Sequence, residues 1–269
     1  MLFRSVNDFG TRGDPPTHPE LLEWLTRGFV KGGWKLKPLH RLIMTSAVYL
    51  QDTAFDTAKA TVDPDNRLLW RRRPMRVESE ILRDAMLAVS ATLNPEMFGS
   101  AFKAPVAPEA IQARNMKDPY PADLKDSPAT RRRSVYMFHK RVVQQPLMQA
   151  FDGPDAQASC GRRENTTVAP QALALLNDSF VRSRAADFAQ RVEREAGTET
   201  DRQVRLAWHL AIGREPTDSE LTSATEFLSA QRQHRLSRAP GKPESETHHL
   251  ALSDFCQAIF ALNEFLYVD

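Results

Sequence analysis

The chain has 269 residues, 41% apolar and 26% charged, and its 36 Lys plus Arg against 34 Asp plus Glu leave a net charge of +2. That length can bury a real core, in one large domain or two of ordinary size, and the composition is globular, not disordered. The near balance of charge argues against nucleic acid as the main partner, and 2 cysteines are too few for a disulfide framework or a thiolate zinc site.

No apolar run approaches the roughly 20 residues that span a bilayer, so no membrane span is expected. No C-x-x-C-H run attaches a c-type haem, so no cofactor is expected in this chain. MLFRSVNDFGTRGDPP has neither the apolar core nor the cleavage site of a signal peptide. It reads as a chain that starts partway through something longer.

After the Gly- and Pro-rich opening NDFGTRGDPP, Thr17 and Glu20 have the spacing of a capping box. Leu21, Leu22, Leu25 and Phe29 follow at helical spacing up to Gly32-Gly33, and a second helix is expected from Pro38 to about Leu50. His18 and His40 fall on these elements as structural groups. DPDNRLLWRRRPMR then gathers Arg67, Arg71, Arg72, Arg73 and Arg76 around Trp70. Guanidinium forks suit an oxyanion clamp, but Glu78, Glu80 and Asp84 follow so closely that a solvated face of ion pairs is the expected arrangement. Ile81, Ala85, Ala88 and Val89 mark the next amphipathic helix.

Prolines recur from Asn94 to Ala129 with little periodicity, which predicts a long irregular connection: an ordered binding loop or a mobile linker. Arg131-Arg132-Arg133 leads into SVYMFHKRVV, whose Val, Tyr and Phe suit a strand, or a short buried helix. From Pro170 a helix of about 25 residues runs to Gly197, and DRQVRLAWHLAIGREPTDSELTSATEFLSAQR reads as a helical hairpin with Thr217 and Glu220 capping its second arm. QHRLSRAPGKPESETHH is polar and flexible in composition. His248 and His249, being adjacent, point to different sides of a helix and have no third metal ligand, so no metal site is expected. The last helix buries Leu252, Phe255, Cys256, Ile259 and Leu262, which makes Cys256 an inert core thiol.

The chemically richest stretch is FDGPDAQASCGRRENTTVAPQALALLN, residues 151–177. Asp152 and Asp155 are candidates for an acid and base pair, because two carboxylates in different surroundings can split their pKa values. Cys160 lies beside Arg162 and Arg163, an arrangement that favours thiolate. Thr166, Thr167 and the amides opening the helix near Pro170 are placed to receive an oxyanion, with Arg162 and Arg163 as further binding candidates. His139 is the nearest candidate base. Each has a plainer use: the aspartates in turns around Gly153-Pro154, the arginines as their partners, Cys160 as a small buried residue, the threonines as caps.

Taken together, NDFGTRGDPPTHPELLEWL, LKPLHRLIMTSAVY, DPDNRLLWRRRPMRVESEILRDAMLAVS, RRSVYMFHKR, the 151–177 run, AIGREPTDSE and ALNEFLYVD resemble one family. It is the planctomycete-specific domain of unknown function found C-terminal to planctomycete-type cytochrome c regions. The resemblance implies an exported protein, of periplasm or cell surface, from planctomycetes or related bacteria. It also implies a partner cytochrome c region in the same or a neighbouring protein, and a C-terminal, truncated member here. It carries over no catalytic residue.

The expected architecture is mainly α: helical hairpins in two halves, 1–93 and 131–269, joined by a proline-rich connection over 94–130, with at most a short β element near 133–143. The expected function is a non-catalytic accessory or interaction module beside a cytochrome c or polysaccharide-processing partner. A hydrolase acting on a sulfated or acidic glycan through the 151–167 loop is the alternative. Nucleic-acid binding through the arginine triplets, with Trp70 and Tyr136, is the weakest of the three.

Overall fold

A computed structural model describes residues 11–106, 120–121, 123–141, 143–155 and 157–268. The start of the expected opening loop and the middle of the proline-rich connection (107–119 and 122) lie outside the described residues. The protein is mainly α with a short β element, and it divides into two compact units, Met1–Met75 and Arg76–Val268. The division falls inside the basic run, and the described part of the proline-rich connection belongs to the second unit.

The first unit holds α1 (Pro19–Lys31), α2 (Leu36–Met44) and α3 (Thr57–Val62). Leu22, Leu25, Phe29 and Leu39 are half-buried in the α1–α2 hairpin, but none of the three helices fully buries a residue. The expected capping box does not form: His18 is the N-cap, and Thr17 Oγ1 instead bonds His18 Nδ1 at 2.9 Å. Proline at the first helical position already supplies a preset φ and needs no donor partner, so the helix starts without the box. Behind α3 the chain knots on Asp63, whose carboxylate accepts the Arg67 and Leu68 amides at 2.9 and 2.7 Å while its carbonyl takes Trp70 Nε1–H at 2.9 Å.

The division passes through β1 (Met75–Arg76), which pairs with β2 (Tyr267–Val268), and the first helix of the second unit is α4 (Ser79–Val89). Then come 3-10 turns at Pro128–Arg131 and Ser134–Tyr136, α5 (Pro146–Ala150), α6 (Ala169–Asn177), α7 (Ser179–Ala196), α8 (Thr200–Ile212), α9 (Asp218–Arg238), α10 (Glu244–Phe260) and α11 (Asn263–Leu266). Near 133–143 the β content is bridges only, Phe102 with Met137 and Lys140 with Val143. Around them 94–106 is bound into the unit. Arg132 donates to the carbonyls of Glu96, Phe98 and Ser100, and Asn94 Nδ2 reaches the Pro128 carbonyl at 3.1 Å.

The single helix expected from Pro170 to Gly197 is two helices. Asp178 turns extended, at φ −64° and ψ 130°, and its carboxylate caps α7 by accepting the Phe180 and Val181 amides. A local acceptor two and three residues ahead competes with the helix ladder and breaks it there. The stretch expected to be flexible, 233–249, is mostly helical: α9 runs to Arg238, and α10 starts six residues later at Glu244. Ion pairs from Arg235 to Asp254 and Arg232 to Glu244 tie the two ends together, a stabilisation that composition alone hides.

Apolar residues on one face of α7 (Val181, Ala185, Phe188, Ala189 and Val192) meet Leu252, Phe255, Cys256, Ile259 and Phe260 of α10. Steps of three and four put each set on one stripe, and burial of those stripes is the main favourable term in the unit. Phe188 and Phe260 stack at 5.8 Å with planes 16° apart. Deleting the ring of Phe188, which is fully buried, is expected to cost about 3–5 kcal/mol. Denaturant unfolding of Phe188→Ala, read by circular dichroism, checks this.

Candidate functional site

The 151–167 loop is held by a buried arginine from the start of the second unit. Arg76 Nη2 meets Asp152 Oδ2 at 2.6 Å and the Phe151 carbonyl at 3.2 Å, while Nη1 donates to the Thr166 carbonyl at 3.0 Å. Its guanidinium lies 5.1 Å from the centre of the Phe151 ring. Asp152 also accepts the Thr166 amide at 2.8 Å and the Thr166 hydroxyl at 2.9 Å. Burial pushes the Asp152 carboxyl up, but the Thr166 amide and hydroxyl and the Arg76 charge outweigh it, so the group stays below the usual carboxylate range. Gln171, buried on α6, donates to the Thr166 carbonyl at 3.1 Å and so fastens the far end of the loop to a helix.

The turn at the near end is sterically tight. Asp152 has φ +55°, in the left-handed region. A Cβ on Gly153 would stand 2.7 Å from the Met148 carbonyl oxygen, so the backbone of this turn closes on α5 only with glycine. Gly153 N–H donates to that same oxygen at 2.7 Å.

The other candidates are spread along the loop. Asp155 accepts the Gln157 amide at 2.9 Å and Gln144 Nε2 at 3.1 Å, an Asx turn at the surface. Cys160 and Arg162 are exposed. Arg163 makes a two-pronged bond to Glu80 at 2.6 and 2.9 Å, with Glu78 at 3.4 Å. Those bonds raise the Arg163 pKa, led by Glu80. Thr166 is part of the Arg76 knot, and Thr167 Oγ1 lies 3.0 Å from the Tyr267 hydroxyl. His139 lines a small cleft with Glu80, Gln149 and Pro154. The structure therefore joins Asp152 to Thr166, and Arg163 to Glu80, through side-chain bonds, and it gives Asp155 and Thr167 separate partners.

Arg76, Glu80 and Gln171 carry the loop, and the sequence reading assigned none of them to it. Among the described residues, Glu78, Glu80 and Asp84 take partners from outside the basic run. Arg71 lies between the Phe55 and Trp70 rings, at 5.0 and 5.1 Å, and donates to the Thr53 carbonyl. Glu80 is taken by Arg163, 83 residues on, and Asp84 accepts the Ser134 amide at 2.8 Å and its hydroxyl at 2.7 Å. The signal was present as Arg76, set apart from Arg71-Arg72-Arg73 by Pro74 and Met75, but pairing over such separations leaves no local pattern.

Among the described residues no helix is long and apolar enough to cross a membrane, and no group of three or more His, Cys, Asp or Glu is placed to hold a metal ion. The adjacent histidines have protein partners: His248 Nε2 is 2.9 Å from Gln203 Oε1 and His249 Nδ1 is 2.9 Å from Glu193 Oε2.

Removing Asp152 leaves Arg76 buried and without its carboxylate. Asp152→Ala is expected to destabilise the second unit by roughly 3–5 kcal/mol. Because the folded-state pKa of Asp152 is depressed, its contribution is complete above the unfolded value near 3.9 and is lost as pH falls through the folded value. Asp152→Asn is therefore expected to flatten the acid limb of the stability profile below about pH 4, measured by urea unfolding at stepped pH.

No curated protein and no solved structure matches the chain. Residues 1–228 match the family described as PSD1, protein of unknown function (DUF1553). The match covers most of the sequence, and the chain belongs to that family.

Proposed function

We propose that this protein is a non-catalytic helical interaction module, working beside a cytochrome c region or a polysaccharide-processing partner of an exported assembly. One observation carries the reading: α1, α2 and α3 bury no residue, while Leu21, Trp24, Trp34, Leu36, Ile43 and Met44 stand exposed. Exposed tryptophan and methionine beside Arg27 and Arg41 is the composition of a protein interface more than of ordinary surface. The polar groups of the 151–167 loop support the same reading, since Asp152, Arg163 and Thr166 hold the loop together.

The hydrolase alternative draws on Cys160, which is exposed. It would use Asp152, Asp155 and Cys160 on an anionic glycan held by Arg162, Arg163, Thr166 and Thr167.

Sedimentation of the chain with a haem-bearing cytochrome c domain from a family member tests the module reading. A saturable complex is expected, weakened at least tenfold by Trp24→Ala with Trp34→Ala, as for aromatic anchors at other interfaces. No complex, together with cleavage of a sulfated glycan that is lost in Cys160→Ala, supports the hydrolase instead.

A further inference from the structure

The second unit contains a cavity of about 420 Å3 between α4, the 104–106 segment, α5 and the start of α7. That is within the size range of small-molecule sites and far above the packing voids of a core. An apolar cavity of about 150 Å3 holds one benzene, so the same filling admits roughly 15–20 non-hydrogen atoms here. Leu124, Met137, Leu147 and Met148 give its wall aliphatic and thioether surface, and polar and charged side chains interrupt it.

The charged groups on the wall are already committed to the protein. Arg83 is buried, and its Nη1 donates to the Arg132 carbonyl at 3.0 Å and Ser134 Oγ at 3.1 Å, its Nη2 to the Thr130 carbonyl at 2.7 Å. Burial lowers its pKa to about 10, so it remains charged at neutral pH. The rings of Phe102 and Phe180 lie 5.4 and 5.2 Å from it. Asp126 accepts Arg131 at 2.9 and 2.8 Å and also meets Arg184. Asp178 accepts two amides at the start of α7, where the helix dipole favours its charge.

A charged ligand would therefore enter beside groups whose charges are satisfied, and it would lose its hydration for little return. Of the neutral wall groups, Thr130 Oγ1 donates to the Ser127 carbonyl and Gln145 Nε2 to the Ala104 carbonyl, while Ser183 Oγ, which accepts Arg184 at 2.9 Å, has its own proton to give and Ser179 adds a second hydroxyl. From this geometry we infer that the cavity is a binding site for an uncharged amphiphile, an apolar body with one hydrogen-bonding head. It is independent of the interaction surface on the first unit.

Three ligands with one tail test this: 1-decanol, decanoate and decylammonium, each titrated into the full chain by calorimetry and followed by thermal unfolding. One decanol per chain is expected, with a raised unfolding temperature and at least tenfold weaker binding of both ions. Ser179→Trp, at an exposed rim position, and Ala104→Leu, inside, are each expected to abolish decanol binding without changing the far-ultraviolet spectrum. If Ala104→Leu fails to fold, Ser179→Trp decides. No decanol binding, equal binding of either ion, or binding that survives Ser179→Trp overturns the inference.

Discussion

The contact between Arg76 and Asp152 spans 76 residues of sequence, and the 151–167 loop depends on it. One guanidinium satisfies a carboxylate and the carbonyls of Phe151 and Thr166, while the carboxylate satisfies the Thr166 amide and hydroxyl. Both ends of a turn-rich segment are thus fastened to one buried cation. Such a pair gains little over an apolar core, yet losing half of it is costly because the other half stays buried. The loop is specified by that asymmetry. Gly153 against Met148 and Gln171 against Thr166 extend the same clamp to α5 and α6.

What was legible in sequence follows the range of the interaction that decides it. Helices with strong apolar stripes were read correctly in kind: Val181 to Val192 and Leu252 to Phe260 lie where period 3.6 puts them. The capping box of Thr217 and Glu220 formed because both partners lie within one turn. Asp178 was missed as a break because its apolar neighbours keep helical spacing across it. The stretch 233–249 was misjudged because a polar composition does not show its tertiary partners, such as the pairs of Arg232 with Glu244 and Arg235 with Asp254, 12 and 19 positions apart. At the candidate site, residue types were legible and partners were not. Arg163 with Glu80 and Arg76 with Asp152 are tertiary choices, and local charge pattern suggested nearer ones.

The two units use their side chains differently, each taken by itself. The second buries a continuous core and retains several arginines inside it: Arg76, Arg83 and Arg184, each bonded to a carboxylate and to other polar oxygens. Arg83 and Arg184 also lie against the Phe180 ring, at 5.2 and 5.6 Å, so buried charge and aromatic surface are packed as one unit. The first unit holds its shape through turn chemistry at Asp63 and stacked arginines, and it leaves apolar helix surface uncovered. A unit whose described helices bury no residue gains stability from whatever covers them, which links the proposed interaction role to folding as well as to recognition.

The central claim is that the 151–167 loop is a clamped structural junction. Hydrogen exchange at the Thr166 amide tests it most directly, because that N–H has Asp152 Oδ2 as its acceptor at 2.8 Å. The account predicts protection comparable to the amides of α7, collapsing in Arg76→Met while α7 remains protected. Exchange of Thr166 at the rate of an open loop in the unaltered protein would contradict it.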